Sequence, residues 1–180
     1  MRKLEIGPGD MPLSDKDPEW DAVDSAPRVK VDYTASWGFE VLPIPDNSYD
    51  LVFASHVIEH IPWYKTQFAL EDVLRILAPG GTFEVWTVDF AVCIRAYLKH
   101  EYIDDWDAGG LIKCWQHSVA GRIFSYEKHE IPQMWHKAYF DEDYLRQCLT
   151  NAGFRDIQQL KETRGHDHGP VNLGMSGRKL

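Results

Sequence analysis

Between residues 49 and 88 the spacing of apolar positions changes period twice. Tyr49-Asp50-Leu51-Val52-Phe53 is a compact apolar run behind the turn signal Pro45-Asp46-Asn47-Ser48, which predicts a buried strand. Leu70, Val73, Leu74 and Leu77 then recur at i, i+3, i+4 and i+7, one face of a helix. Pro79-Gly80-Gly81 punctuates that pattern, and Thr82–Val88 predicts the next strand. Strand, helix and strand in this order make a parallel crossover unit.

The flanking sequence extends the alternation. Residues 2–6, 20–24 and 28–32 read as short strands, the last two each ending in an acid. Near the other end Asp141 is placed to cap a helix whose Leu145, Cys148, Leu149 and Ala152 share a face, with Gly153 just past it. Phe154–Leu160 and Val171–Gly177 predict a final antiparallel pair of strands. The stretch 102–137 breaks the pattern. It carries Trp106, Trp115, Trp135, His117, His129 and His136 with weak periodicity, and reads as an insertion or lid over the carboxyl edge of the sheet. The expectation is a single α/β domain over residues 1–180.

Composition narrows the class. A chain of 180 residues with 44% hydrophobic content can bury a sizeable core, which argues against disorder. No apolar run approaches the roughly 18–20 residues that cross a bilayer. The N-terminal Met1-Arg2-Lys3-Leu4-Glu5 has no apolar signal-like region, and Cys93, Cys114 and Cys148 form no paired motif, so the expected location is the cytoplasm. A net charge of −9 argues against a nucleic-acid partner.

In open parallel sheets ligands bind at the carboxyl ends of the strands, so what each predicted strand delivers there matters most. The first ends in Glu5-Ile6-Gly7-Pro8-Gly9, where glycines let backbone approach a ligand. The second ends at Asp24, a carboxylate suited to two ribose hydroxyls. The third ends at Asp32-Tyr33, suited to an exocyclic amine and a stacked base, and the fourth at Ser55-His56. Residues 10–50 hold ten acids against three bases, which fits a ligand with cationic centres better than a polyphosphate, and no GK[ST] follows the glycines.

Leu4-Glu5-Ile6-Gly7-Pro8-Gly9 resembles motif I of the class I S-adenosylmethionine-dependent methyltransferases. Residues 42–61, from Leu42-Pro43 to His60-Ile61, are similar to that family's fourth-strand segment, and Val73–Thr82 to the segment entering its fifth strand. Tyr139-Phe140, Leu145 and Ala152-Gly153-Phe154 resemble its closing helix and strand. The resemblance is to the compact "type 11" methyltransferases. It implies a Rossmann-like, doubly wound seven-stranded sheet of order 3-2-1-4-5-7-6 with strand 7 antiparallel, trimmed at its N-terminus. It implies S-adenosylmethionine as methyl donor and S-adenosylhomocysteine as product. Glu5, Gly7, Pro8 and Gly9 would line the methionine and ribose side, Asp24 would hold the ribose, Asp32 and Tyr33 would meet the adenine, and Ser55 and His56 would flank the methionine moiety.

Two departures shape the expectation. Met11 stands where the family often has a third glycine, and Pro12 and Pro18 punctuate the place of its first helix, which must be short or absent. Coverage of the cofactor then falls to the 102–137 segment or to a second copy in a homodimer. No catalytic base is fixed by the sequence; Asp89, His117 and His136 are the substrate-side candidates. Glu59-His60 and His166-Asp167-His168 lack a third ligand nearby, so no metal is expected. Ile61-Pro62-Trp63-Tyr64 lies too far past the fourth strand to serve as the Pro-Pro-aromatic motif of base-modifying amino-methyltransferases. The expected acceptor is a small molecule or a glycan. The alternatives are a non-catalytic methyltransferase-like partner subunit and, further off, an NAD(P)-dependent oxidoreductase.

Overall fold

A computed structural model describes residues 1–10, 12–25, 30–103, 110–126 and 132–180. Seven strands, β1 (Lys3–Ile6), β2 (Trp20–Asp24), β3 (Tyr33–Thr34), β4 (Tyr49–Ser55), β5 (Leu77–Val88), β6 (Arg155–Leu160) and β7 (Asn172–Arg178), form one sheet. Its order is β3-β2-β1-β4-β5-β7-β6. The first five strands pair in parallel, and β7 runs antiparallel to both β5 and β6. The expected Rossmann-like order, with strand 7 reversed, is the observed one.

Among the described residues four helices accompany the sheet: α1 (Thr66–Ile76), α2 (Phe90–Lys99), α3 (Trp115–Phe124) and α4 (Glu142–Ala152). The α4 boundaries follow from its caps. Asp141 accepts a hydrogen bond from the Tyr144 N–H at 2.8 Å, and Gly153 closes the helix with φ 107°. Helices α1 and α4 cover one face of the sheet. There Leu70, Val73 and Ile76 meet Leu145 and Leu149 over the inward residues Leu4, Ile6, Val52 and Phe83. Each such side chain contributes roughly 1.5–3 kcal/mol by leaving water.

The opposite face is built differently. Trp20, Leu51, Phe53 and Trp86 are buried there with Leu13, yet the link from β1 to β2 has only a 3₁₀ turn at Leu13–Asp15 among its described residues. This is the short-or-absent first helix that Pro12 and Pro18 predict. Two devices compensate. A Cβ on Gly174 would come within 2.5 Å of the Trp86 indole, so glycine alone lets that ring lie across β7. The loop between β6 and β7 folds back over the sheet, bringing Gly165 against Phe53 and pinning Arg164 to Glu84 through two bonds of 2.7 and 2.9 Å.

A smaller cluster joins α2 and α3 beyond the end of β5, through Val88, Cys93, Ala96, Ile103 and Val119. The described residues of the 102–137 segment include helix α3 and a 3₁₀ turn at Pro132–Met134; Trp106 and His129 lie outside the described residues. No helix among the described residues is long and apolar enough to cross a membrane.

Three boundaries differ from the sequence expectation. The third strand among the described residues is Tyr33–Thr34; of the expected 28–32, residues 28 and 29 lie outside the described residues, and Asp32 pairs with Ala22 through a backbone bond and its own carboxylate before the ladder begins. Leu77 is not helical: it turns extended as the cap of α1 and pairs with Tyr49, so β5 starts before Pro79-Gly80-Gly81 and runs through it with a register shift. Helix α2 was not anticipated at all, since Asp89 reads as a strand tip in sequence but serves as an N-cap in space.

Candidate functional site

The carboxyl ends of β1, β2 and β4 present the residues expected to hold a nucleoside. Gly7 and Gly9 both adopt left-handed backbone, with φ 68° and 61°. A Cβ on Gly7 would strike Val57 at 2.5 Å, so this glycine lets the β1 loop close against the segment after β4. Gly9 faces open space, which leaves its backbone approachable by a ligand, and Pro8 between them is buried. Asp24 is the last residue of β2, half-buried, beside the β1 tip. Ser55 ends β4. These positions fit an adenosine-type ligand laid across the switch point between β1 and β4.

Glu5 is more deeply set than its sequence position suggests. It is 6% exposed, and its Oε2 accepts the Leu13 N–H at 2.6 Å. Burial pushes its carboxyl up to about 7, against the smaller opposing effects of that hydrogen bond and of Lys16. It therefore shapes the β1–β2 loop that would cradle the ligand. The expected adenine-side pair is displaced. Asp32 precedes β3 and lies opposite Ala22, short of the strand tips, with Oδ2 accepting the Ala22 N–H at 2.9 Å. The Tyr33 hydroxyl reaches the Tyr49 hydroxyl at 3.3 Å, and that hydroxyl donates to Asp21 at the start of β2. Tyr33 thus points toward the amino ends of the strands. The misplaced third strand is the cause: beginning it at Tyr33 moves both residues away from the tip.

A second group gathers beyond β4. His56 has φ 54° and is held by its backbone N–H to Trp86 O. Its Nδ1 lies 3.1 Å from Glu59 Oε1, and its Nε2 lies 2.8 Å from Asn172 Oδ1. The Asn172 amide nitrogen donates to Asp167 at 2.6 Å, which fixes its oxygen toward His56. Both His56 nitrogens therefore face acceptors, an arrangement that favours the protonated ring. Burial opposes that charge, but Glu59 and Asn172 outweigh it and raise the His56 pKa. Glu59 is 1% exposed; burial alone would raise its pKa, and the bond and charge of His56 bring it down to about 2. The His168 ring lies 3.8 Å from His56, and burial, with His56 as the next cause, pushes its pKa down to about 3.

Of the three substrate-side candidates only His136 joins this group. Its ring meets His60 edge-on at 4.9 Å, and it lines a cleft with Glu59, Val88, Phe90, Arg122 and Tyr139. Asp89 spends its carboxylate on the Ala91 and Val92 N–H groups at 2.8 and 3.4 Å. His117 is exposed on α3, its Nδ1 3.2 Å from Leu111 O. Glu59, His168 and Asn172 were not singled out in sequence as acting together. The i, i+3 spacing of His56 and Glu59 was the one local signal; the partners from β7 and its preceding loop are more than a hundred residues away. Among the described residues no group of three or more His, Cys, Asp or Glu is arranged to hold a metal ion.

Comparison with known proteins agrees with this fold. A family model described as a methyltransferase domain matches residues 17–85, from the approach to β2 into β5. A structure of a possible histamine N-methyltransferase from Thermotoga maritima superposes with a TM-score of 0.60 at 20% identity, over 99% of this chain and 82% of that one. The fold is that of the class I methyltransferases. An S-adenosylmethionine-dependent methyltransferase from Archaeoglobus fulgidus shares this class I fold with a TM-score of 0.62 at 15% identity, over 99% and 86% of the two chains. One from Methanosarcina mazei gives 0.60 at 16% identity over 99% and 92%. No curated protein matches the chain by sequence.

Proposed function

We propose that the chain is an S-adenosylmethionine-dependent methyltransferase that methylates a small-molecule or glycan-type acceptor. The observation that carries this reading is the β1 tip: two left-handed glycines, the second facing open space, beside the Asp24 carboxylate at the next strand's end. Glu5, Gly7, Pro8 and Gly9 would form the floor for the methionine and ribose, Asp24 would accept from the ribose hydroxyls, and Ser55 would flank the methionine. When bound, the donor supplies an electrophilic methyl group. The protein's part is to hold the acceptor in line with it and keep water out, which is where most of the rate in such transfers arises. The loop between β6 and β7, lying over Phe53 and Ser55, supports the exclusion of water from the β4 tip.

The thin covering of the β1–β2 face favours one alternative, a domain that needs a partner to complete its cofactor site. Calorimetric titration of the purified protein with S-adenosylmethionine, S-adenosylhomocysteine and NADH separates the readings. Micromolar binding of the first two, with none of NADH, is expected. Absence of all binding would favour the partner-subunit reading, and binding of NADH alone an oxidoreductase.

A further inference from the structure

None of the residues from Lys161 to Pro170 is buried, although the loop they form lies against the fully buried Phe53. A segment with no buried apolar side chain of its own opens far more readily than the sheet beneath it. Its described tethers are near the surface. Arg164 grips Glu84 of β5 through two bonds of 2.7 and 2.9 Å, but its side chain is half-exposed, and such pairs contribute little. The His168 ring lies over the His56 ring at 3.8 Å with 36° between their planes. Burial and the neighbouring His56 keep it neutral at pH 7, so it packs as an apolar plate. At the far end Asp167 accepts the Gly169 N–H at 2.9 Å and the Asn172 side-chain amide at 2.6 Å. Gly169 itself has φ 71°, and a Cβ there would meet open space, which leaves a turn with freedom to swing.

The seat of this loop is the carboxyl tip of β4. A Cβ on Gly165 would come 3.9 Å from the Ser55 Cβ and 3.2 Å from the Phe53 ring, so glycine is what lets the backbone settle there. Ser55 is the residue assigned to flank the methionine moiety of the donor. His168 covers one face of His56, the next residue along. Groups this close are in van der Waals contact, and no methionine chain fits between them.

We propose that the loop between β6 and β7 is an autoinhibitory strap, seated on the β4 tip, that must lift before the donor's methionine end can reach Ser55. This rests on the methyltransferase reading and adds a regulation of that same site. The seat that keeps water from Phe53 and Ser55 in the empty protein also keeps the donor out. The apparent affinity for the donor is then the intrinsic affinity reduced by the fraction of molecules whose strap is lifted. Because the tethers are exposed, the strap tunes binding rather than forbidding it.

The test uses the full chain and two readouts: calorimetric affinity for S-adenosylhomocysteine, and hydrogen exchange of the 161–169 amides with and without that ligand. Arg164→Ala combined with His168→Ala should bind S-adenosylhomocysteine about fivefold tighter or more than wild type, because more molecules have the strap lifted. In wild type, saturation with S-adenosylhomocysteine should speed exchange across the loop. A lid that closes over its ligand would show the reverse. Unchanged or weaker affinity in the double variant overturns the strap, as does an unchanged or slower exchange of the loop on ligand binding. Binding in the double variant alone supports the strap and the donor site together. Binding in neither protein removes the methyltransferase reading, and with it the donor that the strap excludes. Should the double variant not fold, the wild-type exchange decides.

Discussion

Two buried glutamates stand near the carboxyl ends of adjacent strands and titrate on opposite sides of the ordinary value. Glu5, in β1, is pushed up to about 7; Glu59, just beyond β4, is brought down to about 2. Their exposures are alike, at 6% and 1%. Burial therefore does not set the sign. Glu5 has one backbone N–H and only a weak influence from Lys16, so desolvation wins. Glu59 has the His56 ring at 3.1 Å, whose bond and charge in a poorly screened site exceed its desolvation cost. The comparison divides the edge of the sheet into two chemistries. The β1–β2 half shapes a loop with a carboxyl near its switching point. The β4–β5 half keeps a carboxylate paired with a buried histidine.

The sharpest way to break the comparison is to remove the imidazolium's partner. Glu59→Ala leaves His56 charged and buried, and should cost about 3–5 kcal/mol at pH 6 by chemical denaturation. The loss should shrink at pH 8, where His56 can shed its proton. A pH-independent loss would show that Glu59 serves packing alone.

Glu5 gives the next largest effect, with the opposite dependence. Its folded pKa is raised, so the protonated carboxyl favours the folded state; that stability is fully present below about 4.5 and is lost as pH rises through about 7. The shift corresponds to about 3 kcal/mol. Glu5→Gln should therefore change the melting temperature little at pH 4.5 and raise it at pH 8, while wild type loses stability over the same range. Equal melting temperatures of the two proteins at pH 8 would mean that the Glu5 carboxyl is better solvated than its burial implies.

Much of this architecture was legible in the sequence, and the failures are local and physical. The compact apolar run behind a turn, the helical spacing, the Asp141 and Gly153 caps and the Gly-Pro-Gly turn report backbone states that neighbouring residues determine, and they placed β4, α4 and the β1 tip. The third strand failed because two residues of ladder leave almost no periodic signal, and Asp32 looked like a strand end when it is the bracket that opens the strand. Leu77 fits a helix face as well as it fits the strand that follows. The His56–Glu59 site stayed hidden for a different reason. His56 reads as a strand tip and Glu59 as half of a Glu59-His60 pair until Asn172 and His168 arrive from the far end of the chain, through the antiparallel return of β7 beside β5.

Asp24 sharpens the other half of the comparison. If it holds a ribose, Asp24→Ala should weaken S-adenosylmethionine binding by about 1–3 kcal/mol through lost charge-assisted hydrogen bonds, read by calorimetry. Unchanged affinity would remove the ribose assignment without touching the Glu59 site.

The smallest effect is expected at His117, and it tests whether the two histidines of the α3 region differ in kind. His117 and His136 share a residue type and a pattern-poor stretch of sequence, and nothing local tells them apart. In space His117 is exposed, and its nearest polar neighbours are backbone atoms of Leu111 and Lys113, a contact that trims the start of α3. His136 is half-buried and faces the cleft that holds Glu59. His117→Ala should change stability by less than about 0.5 kcal/mol by chemical denaturation, as exposed substitutions usually do. A larger loss would show that the contacts of His117 with Leu111 and Lys113 hold the start of α3, and the division between an exposed and a half-buried histidine would fail.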